Sequence, residues 1–95
     1  MATQTITFSK EGGQYVAAFT TQGPFALHIE KPEPGPINME ISSVEGGKYA
    51  PVDDFPGSAR WQTVVDYEFA ASIFPKHIRV TSHVAPTKAV VVFND

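Results

Sequence analysis

The carboxylates whose spacing best suits acid–base chemistry are Asp66 and Glu68. On a strand they would share one face and lie about 7 Å apart, which overlaps the separation of paired glycosidase carboxylates. A structural role fits their context better. If their strand forms a hairpin with the next strand, His77 and Arg79 lie on the same outer face and complete a pattern of cross-strand charge pairs. We therefore predict surface ion pairs here and no catalytic residue.

The histidines are the next candidates, since a neutral imidazole is a common metal ligand. His77 and His83 fall on one predicted strand with Cα atoms about 20 Å apart, so they cannot share a metal within one chain. His28 and Glu30 share a strand face and could form half of a metal site, but no third ligand is evident. We predict surface histidines, while a metal shared between chains on a symmetry axis stays open.

Other motifs of catalytic and metal sites are weak or missing. Asp53 and Asp54 could contribute to a calcium site, but calcium takes about six to eight oxygens from several loop positions. Two Asp before a Phe-Pro-Gly sequence are more typical of a turn. The chain has no cysteine, no phosphate-binding glycine loop and no Gly-x-Ser-x-Gly elbow. We predict a protein that is not an enzyme and that holds no metal or cofactor.

Aromatic side chains offer a different chemistry, because their faces can stack on sugar rings. Trp61, Tyr67 and Tyr15 are in phase with apolar neighbours, which predicts that they lie in the core. Tyr49 lies in the irregular segment 45–57 and is free to bind a ligand. A carbohydrate-binding module is therefore the alternative to a structural protein, and its predicted ligand loop consists of Tyr49, Asp53, Asp54 and Phe55.

Short strands must position all of these residues. The chain has ten Val, six Ile and eight Thr against a single Leu, a choice that favours strands over helices. Period-two alternation predicts strands near residues 5–8, 14–21, 25–30, 37–42, 48–52, 61–69, 77–84 and 88–93. Seven or eight such strands predict one all-β domain over residues 1–95, an antiparallel β-sandwich of jelly-roll or immunoglobulin-like topology. A compact barrel is the alternative.

Two connections have clear signatures. The sequence Glu11-Gly12-Gly13 predicts a hairpin turn, because glycine adopts positive φ at little cost. Segment 31–36 holds three prolines, which cannot join a central ladder. We expect this segment to carry the chain from one sheet to the other.

Charge and hydropathy exclude several kinds of partner. The net charge is -3 and the seven Lys and Arg are scattered, whereas nucleic-acid binding needs clustered basic residues. No segment approaches the ~20 apolar residues of a membrane helix, and the N-terminus does not resemble a signal peptide. The absence of cysteine favours a protein assembled inside a cell.

The outward face of several strands is less polar than a solvated antiparallel sheet requires. Val16, Ala18, Val64, Val90 and Val92 all lie opposite the predicted core face. Large exposed apolar patches mark interfaces. We therefore predict an oligomer or docking interface formed by Val64, Val90 and Val92, with Val16 nearby. Cover by loops is the alternative explanation.

The opening residues 5–12 and the closing segments 78–82 and 90–93 are similar in style to small virion proteins. The whole chain resembles β-sandwich proteins of tailed bacteriophages of the head-decoration or auxiliary-capsid kind. This resemblance implies a non-enzymatic protein that forms symmetric oligomers, binds a capsid lattice, and is assembled in the host cytoplasm into the virion. It transfers no residue role, since no family motif matches. We expect no disordered N-terminal docking arm of the kind found in the best-known decoration proteins, which is a departure from their pattern.

Overall fold

The computed structural model describes residues 2–93, and its regular elements are strands and one short 3₁₀ helix. The strands are β1 Ala2–Thr5, β2 Ser9–Glu11, β3 Gln14–Thr21, β4 Phe25–Glu30, β5 Ile37–Ser42, β6 Ala50–Pro51, β7 Val64–Phe69, β8 Lys76–Ser82 and β9 Lys88–Phe93. The helix η1 spans Gly57–Trp61, between β6 and β7. The predicted bounds of β3, β4, β5 and β9 are confirmed. None of the described helical segments is long and apolar enough to cross a membrane.

The strands form two antiparallel sheets, of order β1-β9-β4-β7 and β2-β3-β8-β5-β6. Apart from the edge strand β2, the pairing is nested: the first strand pairs with the last, and each later strand with the next one inward. The nested pairs are β1 with β9, β3 with β8, β4 with β7, and β5 with β6. The predicted β-sandwich is confirmed, and this nested order is that of a jelly roll.

The core lies between the two sheets and is filled by every second side chain of the paired strands. Leu27, Ile29, Ile78, Val80 and Val91 are fully buried. Each such side chain stabilises the fold by about 1.5–3 kcal/mol relative to exposure. At one end of the core, the Phe25 ring stacks on Phe69 at 5.1 Å between centroids and meets the edge of Phe19 at 5.3 Å. Because inward positions alternate with outward ones, each sheet also presents one ordered outer face.

The connections between the sheets explain one wrong prediction. The strand expected near residues 5–8 is absent, since β1 ends at Thr5 and β2 begins at Ser9 in the other sheet. Residues 6–8 are the crossover, in which Ile6 is buried and Phe8 packs against the core. Their alternation therefore reflects core contact during the crossover rather than a strand. The proline-rich segment 31–36 also joins the two sheets, as predicted.

The predicted hairpin turn is confirmed. It joins β2 to β3, with Glu11 opposite Gln14. Gly12 and Gly13 have φ values of 59° and 85°, the left-handed region that favours glycine. The hairpin therefore places Glu11 and Gln14 together at one edge of the five-stranded sheet.

The sixth predicted strand begins later than expected. Val65, Tyr67 and Phe69 are buried as predicted, but Trp61 belongs to η1 and is 72% exposed, so its assignment to the core is wrong. The apolar phase of β7 does not extend back through η1, because a 3₁₀ turn breaks the period of two.

A buried lysine fixes the position of η1. Lys31 is 4% exposed, and its Nζ donates to the backbone oxygens of Gly35 at 2.9 Å and Ala59 at 3.3 Å. Burial lowers the pKa of this amine. The lysine thus ties the helix that carries Trp61 to the connection after β4.

The sixth and seventh predicted strands do not form the hairpin that would have placed His77 and Arg79 beside Asp66 and Glu68, because β7 and β8 belong to different sheets. Asp66 lies opposite His28, and Arg79 lies opposite Glu40. Cross-strand charge pairs exist as expected, but with other partners. Asp66 and Glu68 are exposed on an open sheet face rather than enclosed in a cleft.

Candidate functional site

The outer face of the four-stranded sheet, here called the valine face, consists of alternate side chains of β1, β9, β4 and β7. Cross-strand pairing arranges them in rows. One row contains Thr3, Val92, Ala26 and Glu68. The next contains Thr5, Val90, His28 and Asp66. The last contains Lys88, Glu30 and Val64. The apolar residues of β9 therefore lie inside a border of polar and charged side chains.

Three of the four predicted interface valines share this face. Val90 and Val92 are half-buried near its centre, and Val64 is 49% exposed on the edge strand. Val16 lies on β3, in the five-stranded sheet, so its predicted place beside the others is wrong. Alternation identifies an outward position, but it does not say to which sheet a strand belongs.

A histidine held between two carboxylates lies beside Val90. The Nδ1 of His28 bonds Asp66 at 2.8 Å, and its Nε2 bonds Glu30 at 2.8 Å. Both ring nitrogens can donate at once only when the imidazole is protonated. The hydrogen bonds to Glu30 and then Asp66 raise the pKa of His28, and the hydrogen bond from His28 lowers the pKa of Glu30.

Asp66 is the third candidate ligand beside His28 and Glu30 that the sequence did not reveal. The geometry of the three side chains is nevertheless unsuited to a metal. The two carboxylates lie on opposite sides of the ring, one at each nitrogen, so the three groups do not converge on one point. Among residues 2–93, no group of three His, Cys, Asp or Glu is arranged to hold a metal ion.

An apolar hollow of about 290 Å³ opens at one end of the valine face. Its lining residues are Pro24, Phe25, Ala26, Glu68, Phe69, Ala70 and Val92. Ala26 and Val92 also belong to the valine face, so the two surfaces are continuous. Of the residues that the structure describes, Glu68 is the one charged side chain of the lining.

Trp61 lies at the opposite end of β7, just before the strand begins. The guanidinium of Arg60 lies 5.0 Å from the centroid of the indole, within range of a cation–π contact. An indole that is 72% exposed is unusual, because Trp is highly buried on average. The sequence prediction missed it, although the preceding Pro56-Gly57 offered a signal that the strand had not yet begun.

The outer face of the five-stranded sheet has a different character. It carries an open groove of about 450 Å³, here called the polar groove. Its lining residues are Glu11, Gln14, Val16, Asn38, Glu40, Arg79 and Thr81. The sequence prediction missed this site, because its members come from four strands whose pairing is not visible in the local pattern.

Arg79 is the most constrained side chain of the polar groove. Its Nε donates to Glu40 Oε1 at 2.9 Å, and its guanidinium lies 4.5 Å from the centroid of the Tyr49 ring. The hydrogen bond to Glu40 raises the pKa of Arg79. Of the predicted ligand loop, Tyr49 therefore lies next to the groove.

The remaining residues of the predicted ligand loop lie elsewhere. Asp54 accepts a hydrogen bond from the Tyr67 hydroxyl at 2.9 Å, and Phe55 meets the edge of that ring at 5.2 Å. Burial and the bond to Asp54 raise the pKa of Tyr67 to about 12. Asp53 is exposed. Asp54 and Phe55 thus anchor the loop to β7, and the four residues do not form one binding site.

The other two histidines, His77 and His83, contact different side chains. His77 Nδ1 lies 3.1 Å from Thr20 Oγ1 on the neighbouring strand. The ring of His83 packs against Gly35, where a Cβ would collide with it, and its Nε2 lies 3.6 Å from Glu33 Oε1. Both histidines therefore have structural neighbours of their own.

Comparison with family models, curated proteins and solved structures adds no relative to this picture. The chain matches no protein-family model, no curated protein and no solved structure. Inference about its function therefore rests on its own residues.

Proposed function

We propose that this chain is a non-enzymatic assembly protein that joins further copies of itself head to tail, with Trp61 of one copy seated in the apolar hollow of the next. The observation that carries the proposal is a pair of complementary features at opposite ends of β7. The exposed indole precedes the strand, and the hollow residues Phe69 and Ala70 lie at its end and just beyond it. About 20 Å of strand separates them, so the indole cannot fill the hollow of its own chain.

Charge also favours this pairing. Arg60 lies against the indole, and Glu68 is the charged member of the hollow. An indole entering the hollow brings the guanidinium of its own copy towards the carboxylate of the next. Such a rim pair orients the partners and adds modestly to affinity.

The valine face extends the contact beyond the hollow. Ala26 and Val92 line both surfaces, and Val90 continues the apolar strip. Acidic and hydroxyl side chains border it, the pattern of an interface with an apolar centre and a polar rim. Burial of this strip in a partner removes apolar area from water at about 25 cal/mol per Å², before the cost of association.

A contact between two different patches is heterologous, so each added copy leaves one free indole and one free hollow. Growth then ends in a ring if the rotation closes, or continues as an array. The virion setting of this proposal, with a capsid lattice as the second partner and assembly in the host cytoplasm, is supported by the sequence resemblance alone.

Light scattering on a sizing column, over a range of concentrations, tests the proposal. We expect the mass to rise with concentration. Trp61 is the chain's single tryptophan, so its emission reports directly on the proposed contact. We expect a blue shift as the mass rises.

The variant Trp61→Ser should stay monomeric, whereas the control Val44→Ser, which removes an apolar side chain that is 65% exposed, should assemble like the wild type. A wild-type protein that stays monomeric at millimolar concentration overturns the proposal. So does a Trp61→Ser variant that assembles normally.

A further inference from the structure

We propose that the polar groove is a binding site for a neutral carbohydrate. The site uses residues of the five-stranded sheet, and none of them belongs to the valine face, the hollow or η1. It is therefore independent of the head-to-tail contact, and either can fail without the other.

The polar groove holds its hydrogen-bonding side chains on paired strands, which form a rigid support. Asn38 lies opposite Thr81, and Glu40 lies opposite Arg79, on adjacent central strands. Their side chains rise from one paired sheet, so their spacing is fixed by backbone hydrogen bonds rather than by a flexible loop. Val16 lies opposite Thr81 on the next strand, and its short side chain forms part of the floor of the groove.

The lining of the polar groove combines hydrogen-bond donors and acceptors. Carboxylates accept hydrogen bonds, guanidinium donates, and amide and hydroxyl groups do both. A saccharide, whose hydroxyls also both donate and accept, complements such a set. Glu11 and Gln14, brought together by the β2–β3 hairpin, extend it along the groove edge.

Charge selects a neutral ligand over an anionic one. The lining contains two carboxylates, Glu11 and Glu40, against one cation, Arg79. Glu40 lies 2.9 Å from Arg79 and already offsets its charge, so these three residues carry no surplus positive charge that would attract a phosphate, a sulfate or an acidic sugar. A nucleic acid or a heparin-like chain would be repelled.

The aromatic side chain of Tyr49 lies at the margin of the groove and helps to order Arg79. The Tyr49 ring lies under the guanidinium of Arg79 at 4.5 Å, so the two planar groups hold each other in place. Because Glu40 and Tyr49 already order Arg79, binding loses less side-chain entropy.

The size of the groove bounds the ligand. A volume of about 450 Å³ falls near the small end of ligand sites, which span about 300–1,000 Å³. The groove is open rather than enclosed, so it would take part of an oligosaccharide chain and bind it weakly. We expect dissociation constants of roughly 0.1–1 mM for the best ligand.

The test is a ¹⁵N NMR titration of the full chain with four neutral oligosaccharides: cellotetraose, the trimer of N-acetylglucosamine, mannotriose and lactose. A heparin-derived tetrasaccharide is the anionic comparison. We expect at least one neutral sugar to cause saturable shifts in the amides of Asn38 and Thr81. The heparin fragment should cause none there.

Two variants sharpen the test. Asn38→Ala, an exposed position, should weaken binding about tenfold without changing thermal unfolding. The control Thr3→Ala, on the valine face, should leave the affinity unchanged. The proposal is overturned if no neutral sugar gives saturable shifts, if the heparin fragment binds more tightly, or if Asn38→Ala binds as the wild type does. Loss of self-association in the same samples would count against the proposed contact between Trp61 and the hollow, and not against the sugar site.

Discussion

The two outer faces of this sandwich are built by the same alternation of inward and outward side chains, yet they differ in what they can bind. The valine face has an apolar strip that runs into the hollow, with charges at its border. The polar groove has amide, carboxylate, hydroxyl and guanidinium groups in its middle. One face is suited to another protein surface, and the other to a hydroxyl-rich ligand.

Each face also holds a cationic side chain by hydrogen bonds to carboxylates: protonated His28 on the valine face and Arg79 on the groove face. On the valine face His28 is held by Glu30 and Asp66, which raise its pKa, and it loses its charge as the pH rises through that pKa. On the groove face Arg79 is held by Glu40, and it stays charged throughout. Between roughly pH 5 and pH 9, His28 therefore changes its charge, whereas Arg79 does not.

The largest expected effect comes from placing charge on the apolar strip. Replacing Val90 and Val92 together by Lys should leave the fold intact, because both side chains point outward, and should weaken self-association about a hundredfold, or roughly 2.7 kcal/mol. Mass from light scattering measures the effect. Val16→Lys, on the other sheet, is the matched control and should not change the mass. Unchanged assembly of the double variant would remove the valine face from the contact.

A smaller effect is expected from the lysine that positions η1. Lys31→Met keeps most of the buried volume but leaves the oxygens of Gly35 and Ala59 without a donor. Relief of the desolvation of the amine offsets part of this loss, so we expect a destabilisation of about 1–2 kcal/mol in urea unfolding. Self-association should weaken because Trp61 is less well positioned, while sugar binding at the groove should persist. An equal loss at both sites would indicate general unfolding instead.

Charge reversal tests the proposed pairing of Arg60 with Glu68. Each single change, Arg60→Glu or Glu68→Lys, should weaken self-association several-fold to about tenfold, and the two together should restore much of it. Sedimentation of the four proteins completes the double-mutant cycle. Additive losses in the double variant would mean that these side chains do not meet across the contact.

The smallest expected effect is a pH dependence confined to the valine face. Because the folded pKa of His28 is raised from 6.5, its stabilising contribution is fully present below that value and is lost as the pH rises through the folded pKa. Glu30 acts in the opposite sense: its pKa is lowered from 4.5, so its contribution is lost as the pH falls through its folded pKa.

Urea unfolding of the wild type and His28→Gln, between roughly pH 5 and pH 9, measures the dependence on His28. The difference between the two proteins should shrink as the pH rises. For Arg79→Gln the difference from the wild type should be flat over the same range, since the pKa of Arg79 lies above it. A flat His28 profile would show that its two hydrogen bonds contribute nothing to folding.

The local pattern predicted a large part of the fold. Unbroken alternation and clear turn residues predicted β3, β4, β5 and β9 at their observed bounds, and Gly12-Gly13 predicted the β2–β3 hairpin. Predictions failed where the chain leaves the period of two. Ile6 and Phe8 do so in a crossover, and Trp61 precedes β7 in a 3₁₀ turn.

The candidate sites were less predictable. The sequence identified Val64, Val90 and Val92 as outward apolar residues, and Tyr49 as an aromatic outside the core. It did not show that Val16 belongs to a different sheet from the other three valines. Nor did it show that Tyr49 contacts Arg79. Each of these relations connects strands that are far apart in the chain.

By itself, the sequence determined which class of fold forms and which side of each regular strand faces the core, because both depend on residue type and local alternation. The tertiary structure decided which strands are neighbours. The pairing of β4 with β7 brings His28 beside Asp66, which is 38 residues away. The pairing of β5 with β8 brings Glu40 beside Arg79, which is 39 residues away. Such contacts depend on the packing of the whole jelly roll, and no local pattern encodes the partner of a strand. Both outer faces, and therefore both proposed binding sites, follow from that pairing.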